Sequence, residues 1–218
     1  MSTYPPVRDE LARLLSRPRL DQYRLAVGGD LDDALRLYAW NLQVSAAFFE
    51  SIHYLEVALR NVMDDTLTNW ATGTLRAADP WYRSPAVALN PSSRKVVTTA
   101  INHATDGGRA ELPGRVVAEL GLGFWWSLLA SGYNRTLWQP CLRHAFSGAR
   151  QARLHDAVDH LRLLRNRIAH HEPVHSRDLV GDYTRILDTA ERISSRLAWW
   201  IDTTSRVPAL LDTRPTIR

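Results

Sequence analysis

Leu31–Trp70 reads LDDALRLYAWNLQVSAAFFESIHYLEVALRNVMDDTLTNW, forty residues without a proline or a glycine. Leu31, Tyr38, Ser45, Ile52, Leu59 and Thr66 form one heptad line; Leu35, Leu42, Phe49, Glu56, Met63 and Trp70 form the other. Asp30 stands where a helix N-cap belongs, its carboxylate placed to accept a backbone N–H one turn on. At about 1.5 Å per residue the segment predicts one helix of roughly 60 Å.

Working outward, the N-terminal side gives two short helical pieces, Arg8–Leu15 and Leu20–Val27, so residues 1–29 read as a helical appendage. On the other side Ala71–Ser92 is a loop broken by Gly73, Pro80, Pro85 and Pro91. Helices are predicted over Ser93–Ala104, from Pro113 to Ser131 with a break near Gly121 or Gly123, over Tyr133–Phe146 with an interruption at Pro140, and over Gln151–His171. A last helix, Arg177–Ile201, is capped by Ser176, and residues 204–218 read as a flexible tail. No run alternates apolar and polar residues between hairpin turns, so no strand is expected. The expectation is an all-α bundle, one domain over residues 1–203, with one very long helix and several short ones.

Composition narrows the class. With 45% apolar residues the chain can bury a core, so disorder is not the default expectation. Its opening residues carry no basic start or apolar run, and the longest apolar stretch, near Gly121–Ala130, falls short of the about 20 residues a bilayer needs. A cytoplasmic protein without a membrane partner is expected. One cysteine, Cys141, excludes a disulfide framework and a multi-thiolate zinc cage. Lys95 is the only lysine. Codon bias in a GC-rich genome explains that without function, yet arginine is the side chain that grips phosphate with two N–H bonds. Arg135–Arg196 holds eleven arginines against seven acids, and six of the eight histidines. Such a surface permits nucleic-acid binding.

Two polar residues sit in apolar company. Glu56 lies on a heptad line with Phe49 and Met63, where a carboxylate is costly unless paired or protonated. It either bridges to Arg60, four residues on, or faces a buried polar site and orients a group from another helix. Arg165, four residues after Leu161 and three before Ile168, lies on the apolar face of its own helix. Glu56 and Arg165 answering each other is a third reading. Leu163 lies roughly 160° from that face, so the helix has two apolar sides and a second subunit is the simplest second partner.

The run Leu163-Leu-Arg-Asn-Arg-Ile-Ala-His-His-Glu-Pro-Val-His175 concentrates the chemistry. Asn166 and His170 share a helical face, whereas Arg165 and His170 are roughly 140° apart on a regular helix. A break before Pro173, or two copies facing each other, would bring them together. Arginine with histidine, and no thiol or carboxylate pair, is a kit for metal-free RNA cleavage. The imidazole takes the 2′-hydroxyl proton or gives one to the departing 5′ oxygen, and the guanidinium stabilises the phosphorane oxygens. Arg162 and Arg167 flank the run as candidate RNA contacts.

Arg165-Asn-Arg-Ile-Ala-His170 resembles the Arg-Asn-x-x-x-His motif of HEPN-superfamily ribonucleases, and with His171 beside it the Abi-like (abortive-infection) branch in particular. Tyr38-Ala-Trp-Asn41 and Leu55-Glu-Val-Ala-Leu-Arg-Asn61 are similar to that branch's first helical block, and Phe124-Trp-Trp is a weaker match between. The resemblance implies a homodimer with the Arg165–His170 segment at its interface and a cofactor-free endoribonuclease acting as a toxin or phage-defence effector. It implies catalytic roles for Arg165 and His170, with Asn166 ordering the site. His171, Glu56 and Arg60 are candidate supports, the glutamate by its position alone. Some members are silenced by an antitoxin that nucleotidylates a tyrosine two residues after the motif histidine; Glu172 stands there in this chain.

Three other readings compete. His171-Glu-Pro-Val-His175 spells the His-Glu-x-x-His of zinc hydrolases, but Pro173 falls inside the turn that must be helical, and Asp182, Asp188 and Glu191 stand at no distinctive third-ligand spacing. A non-catalytic helical module would bind RNA or a partner protein through the same basic surface. A purely structural dimer would reduce Arg165 and Glu56 to a salt bridge.

Overall fold

The computed structural model of the chain describes residues 5–215, all-helical with no strand among them. Its α-helices are α1 (Pro5–Leu14), α2 (Arg17–Ala26), α3 (Leu31–Gly73), α4 (Pro91–Thr105), α5 (Pro113–Glu119), α6 (Leu122–Leu128), α7 (Gln151–Ala169), α8 (Leu179–Ile193), α9 (Ser195–Thr204) and α10 (Val207–Asp212). None of the described helices is long and apolar enough to cross a membrane.

The long helix is the axis of the molecule. Asp30 caps it, Oδ1 accepting the Asp33 N–H at 2.8 Å, and Asp32 and Asp33 sit at the positive end of its dipole. Its buried positions explain how one helix serves two cores. From Ala34 through Leu37, Asn41, Val44, Phe48 and Ser51 to Leu55 the steps alternate three and four, which keeps one face inward. From Leu55 through Leu59, Met63 and Leu67 to Ala71 every step is four, so the buried stripe turns by about 40° at each. The first half packs with Tyr23 of α2, Leu161 and Leu164 of α7, and Ile186 and Ala190 of α8. The second half packs with Val97 and Ala100 of α4 and with Trp125 and Leu128 of α6.

The heptad line Leu35–Leu42–Phe49–Glu56 is therefore not a core seam: Leu42 and Phe49 are 61% and 42% exposed. Other boundaries also move. Pro91 starts α4 instead of breaking it, because proline at the first helical position has no needed N–H to lose, and Asn90 caps the helix. Tyr133–Phe146 yields only 3₁₀ and π turns. The predicted helix Arg177–Ile201 starts at Leu179, where Asp178 replaces Ser176 as cap. It is divided at Ser194, which is extended at φ −164° and ψ 131°, after the Arg192 carbonyl accepts the Ser147 N–H at 2.7 Å. The residues expected to form a flexible tail instead include α10, whose Val207 is fully buried and whose Leu210 carbonyl accepts the Trp40 indole N–H at 2.8 Å.

Candidate active site

Leu154, Val158, Leu161 and Leu164 anchor α7, and its last turn carries Arg165, Asn166, Arg167 and Ile168 at half burial. The helix stops in a Schellman turn rather than at Pro173. His171 N–H bonds Ile168 O at 3.0 Å and Glu172 N–H bonds Arg167 O at 2.8 Å, with His171 in the left-handed conformation at φ 57°. A side chain there costs about 1–2 kcal/mol, against about 0.5–1 kcal/mol for the extra chain entropy of glycine. His171→Gly is thus expected to raise stability slightly, by about 0.5–1 kcal/mol. A lowered melting temperature would show that the His171 ring contributes contacts of its own.

Three distant residues hold the chain beyond this turn. Asn41 Oδ1 accepts the N–H groups of Val174 and His175 at 2.8 and 2.9 Å. The Arg19 guanidinium donates to the His171 carbonyl at 2.7 Å and that of Arg214 to the His175 carbonyl at 2.6 Å. The His175 ring is buried 4.9 Å from the Tyr23 ring, with Nδ1 lacking a hydrogen-bond partner. Burial, with Arg214 and Arg167 nearby, pushes the imidazole below its ordinary value of 6.5. The folded state therefore favours neutral His175, while the unfolded chain protonates near the ordinary value. Its stabilisation is complete above about pH 6.5 and declines as pH falls through and below that point. Melting measured from pH 7.5 down to 5 should fall less steeply for His175→Gln than for the parent; identical slopes would contradict this.

Arg165 and Glu56 answer each other across helices. Arg165 Nε lies 3.9 Å from Glu56 Oε2, and Glu56 Oε1 accepts the Leu122 N–H at the start of α6 at 3.1 Å. The bridge from Glu56 to Arg60 is not the arrangement found, since Arg60 Nε donates to Asn61 Oδ1 at 3.3 Å. Arg60 still joins Arg165, Glu56 and His53 around a cleft of about 150 Å³. His53 escaped the sequence reading, although His53, Glu56 and Arg60 lie three and four apart on one helical face.

The flanking arginines are committed elsewhere. Arg162 donates to Asp159 Oδ1 at 2.9 and 2.6 Å and lies 4.4 Å from the centre of the Trp126 ring, whose other neighbour is the stacked His155. Arg167 Nε is buried 3.3 Å from Glu172 Oε2. His170 is exposed at the helix end, with its backbone N–H on Asn166 O at 2.9 Å and its ring free of hydrogen bonds among the described residues. The imidazole belongs to neither of the two hollows at the C-terminal end of α7, one lined by Arg165 and the other by His171. One chain thus displays Arg165 and His170 on separate parts of the same helix end. His171 and His175 share no helical face: the first is exposed and the second buried, in an irregular segment. Among the described residues no cluster of three or more His, Cys, Asp or Glu is arranged to hold a metal ion. Compared with family models, with curated proteins and with solved structures, the chain matches none.

Proposed function

We propose that the chain is a metal-independent endoribonuclease of the HEPN type, Abi-like, acting on RNA as a toxin or phage-defence effector. The observation that carries this reading is the display at one helix end: an exposed, uncommitted imidazole at His170 and, five residues earlier, a guanidinium steadied by Glu56. In the reaction the RNA 2′-oxygen bonds to phosphorus and the P–O5′ bond breaks. One imidazole removes the 2′-hydroxyl proton and another protonates the departing 5′ oxygen. Arg165 offsets the charge growing on the phosphorane oxygens. Two copies of His170 supply both roles in a homodimer. Leu163, 45% exposed on α7, is apolar surface for that contact. The working place would be the cytoplasm.

One observation favours a second reading, a non-catalytic module for RNA or a partner protein: within one chain Arg165 faces Glu56 in a cleft that His170 does not line. RNA cleavage in the presence of EDTA, with His170→Ala beside the parent, separates the two.

A further inference from the structure

A groove of about 630 Å³ opens between α2, the first half of α3 and the end of α7, a volume in the range of small-molecule sites. Leu42 and Phe49 give it apolar walls, and its uncharged polar groups come from Tyr23, Tyr38, Asn41 and Ser45; Glu50 and Glu172 also line it, each paired with an arginine, Arg206 and Arg167. Tyr38, Asn41 and Ser45 follow each other at three and four residues and so share a face of α3. Tyr23, Asn41 and Ser45 are only 1%, 7% and 7% exposed. The two tyrosine hydroxyls, the Ser45 hydroxyl and the Asn41 amide nitrogen have no hydrogen-bond partner among the described residues, and none of the four atoms is sealed from solvent. Uncommitted polar groups converging on an apolar-walled groove of this size are the arrangement of a small-molecule site, and a ligand there would complete them.

Their chemistry limits the ligand. Asn41 Oδ1 already receives two backbone N–H groups, so the amide offers the groove only donors. Burial, helped by Tyr38, pushes the Tyr23 hydroxyl up to about 12, so it too stays protonated and able to donate. The three hydroxyls give or take. A flat ring with in-plane acceptors and donors suits this pattern, with Tyr38 and Phe49 as aromatic neighbours for its faces. Arg19 lies at the groove with one nitrogen on the His171 carbonyl and further N–H groups available to a phosphate. Ala169 and His171 belong both to the groove and to the end of the motif helix.

We infer that this groove is a nucleobase subsite, which takes the base of a ribonucleotide and sets base preference through Tyr23, Tyr38, Asn41 and Ser45. The inference rests on the reading of the chain as RNA-directed, and the same ring chemistry is offered by an RNA strand or by a free nucleotide.

The test uses the full chain carrying His170→Ala, so that nothing is cleaved. The four ribonucleoside 5′-monophosphates and short RNA oligonucleotides are titrated calorimetrically. Selective binding of one or two bases is expected, weakened about three- to tenfold by Tyr38→Phe or Ser45→Ala. Asn41→Asp keeps the acceptor for Val174 and His175 but removes the donor, so it should change the order of preference while an unchanged melting temperature reports an intact turn. Selective binding of the monophosphates alone assigns the groove to free nucleotides; tighter, competing binding by oligonucleotides assigns it to the strand. Equal affinity for all bases, or affinities untouched by all three substitutions, overturns the subsite. So does a groove filled by a second copy, seen as a shifted monomer–dimer equilibrium without nucleotide binding. Base-selective binding by a chain that never cleaves RNA would leave the subsite standing and remove the nuclease. Cleavage with a sequence preference unmoved by Tyr38→Phe and Ser45→Ala would do the reverse.

Discussion

Purified protein incubated with RNA in excess EDTA is expected to release fragments ending in 2′,3′-cyclic phosphate, with 5′-hydroxyl partners. His170→Ala should slow that cleavage by about 10²–10⁴-fold, the usual contribution of a positioned proton-transfer group. Arg165→Ala should cost about 10²–10³-fold, comparable to the loss of one donor to a developing oxyanion. Arg165→Lys is not a conservative control, because a point charge replaces a planar fork. Glu56 is a positioning residue whose effect can be told from a structural one. Its carboxylate accepts the Leu122 N–H and stands 3.9 Å from Arg165 Nε, and Glu56→Gln keeps an acceptor for the first while removing the charge that faces the second. A kcat lowered about tenfold at an unchanged melting temperature fits positioning, whereas a lowered melting temperature with unchanged kcat makes Glu56 a helix cap only. Cleavage by His170→Ala at the parental rate would sink the catalytic assignment. Cleavage abolished by chelator would return attention to His171, Glu172 and His175.

If the site is completed by a second chain, activity per molecule should fall on dilution below the dimerisation constant. That follows from the geometry of α7. Its regular course to Ala169 keeps Arg165 toward Glu56 while His170 sits exposed past the last turn. The helix end does not wrap the two groups around one phosphate.

The same helix shows which parts of the fold are legible in sequence. Leu31–Trp70 could be read as one helix because nothing in it interrupts the hydrogen-bond ladder, and Asp30 marks its start. Which face it buries could not be read, since a heptad template assumes one partner throughout. The actual stripe turns toward a second core beyond Leu55, leaving Leu42 and Phe49 in the open. Glu56 thus stood out on a premise that fails, an apolar seam, and yet it does reach Arg165. The division at Ser194 depends on Ser147, far away in sequence, and α10 on Trp40. Such contacts leave no local pattern. The groove polar groups were hidden for a related reason: Ser45 and Tyr38 read as members of a core line, and nothing in their spacing says that their hydroxyls go unpaired.

Asp182→Ala is expected to be strongly destabilising, at about 2–3 kcal/mol, less than a fully buried pair because its two arginine partners are partly exposed. The side chain is 2% exposed. Its Oδ2 accepts from Arg177 Nε at 2.8 Å, and its Oδ1 accepts from Arg177 and Arg185 at 3.1 and 3.2 Å. Asp182 also lies in the first turn of α8, where the helix dipole favours a negative charge. Truncation leaves the Arg177 and Arg185 guanidinium groups, 21% and 37% exposed, crowded together without this counterion, and solvent offsets part of that cost. For a chain of this size the loss corresponds to a fall in melting temperature of about 4–12 °C. The consequence reaches the motif, because Arg177 follows directly on the segment that Asn41 ties to α3. The amides of Val174 and His175 should then exchange with solvent faster than those in the middle of α3. Asp182→Asn retains acceptors but not the charge and should lose less than half as much. A fall in melting temperature below about 2 °C for Asp182→Ala would mean that the two arginines find solvent or other carboxylates at little cost, and the triad would not be what fixes the turn.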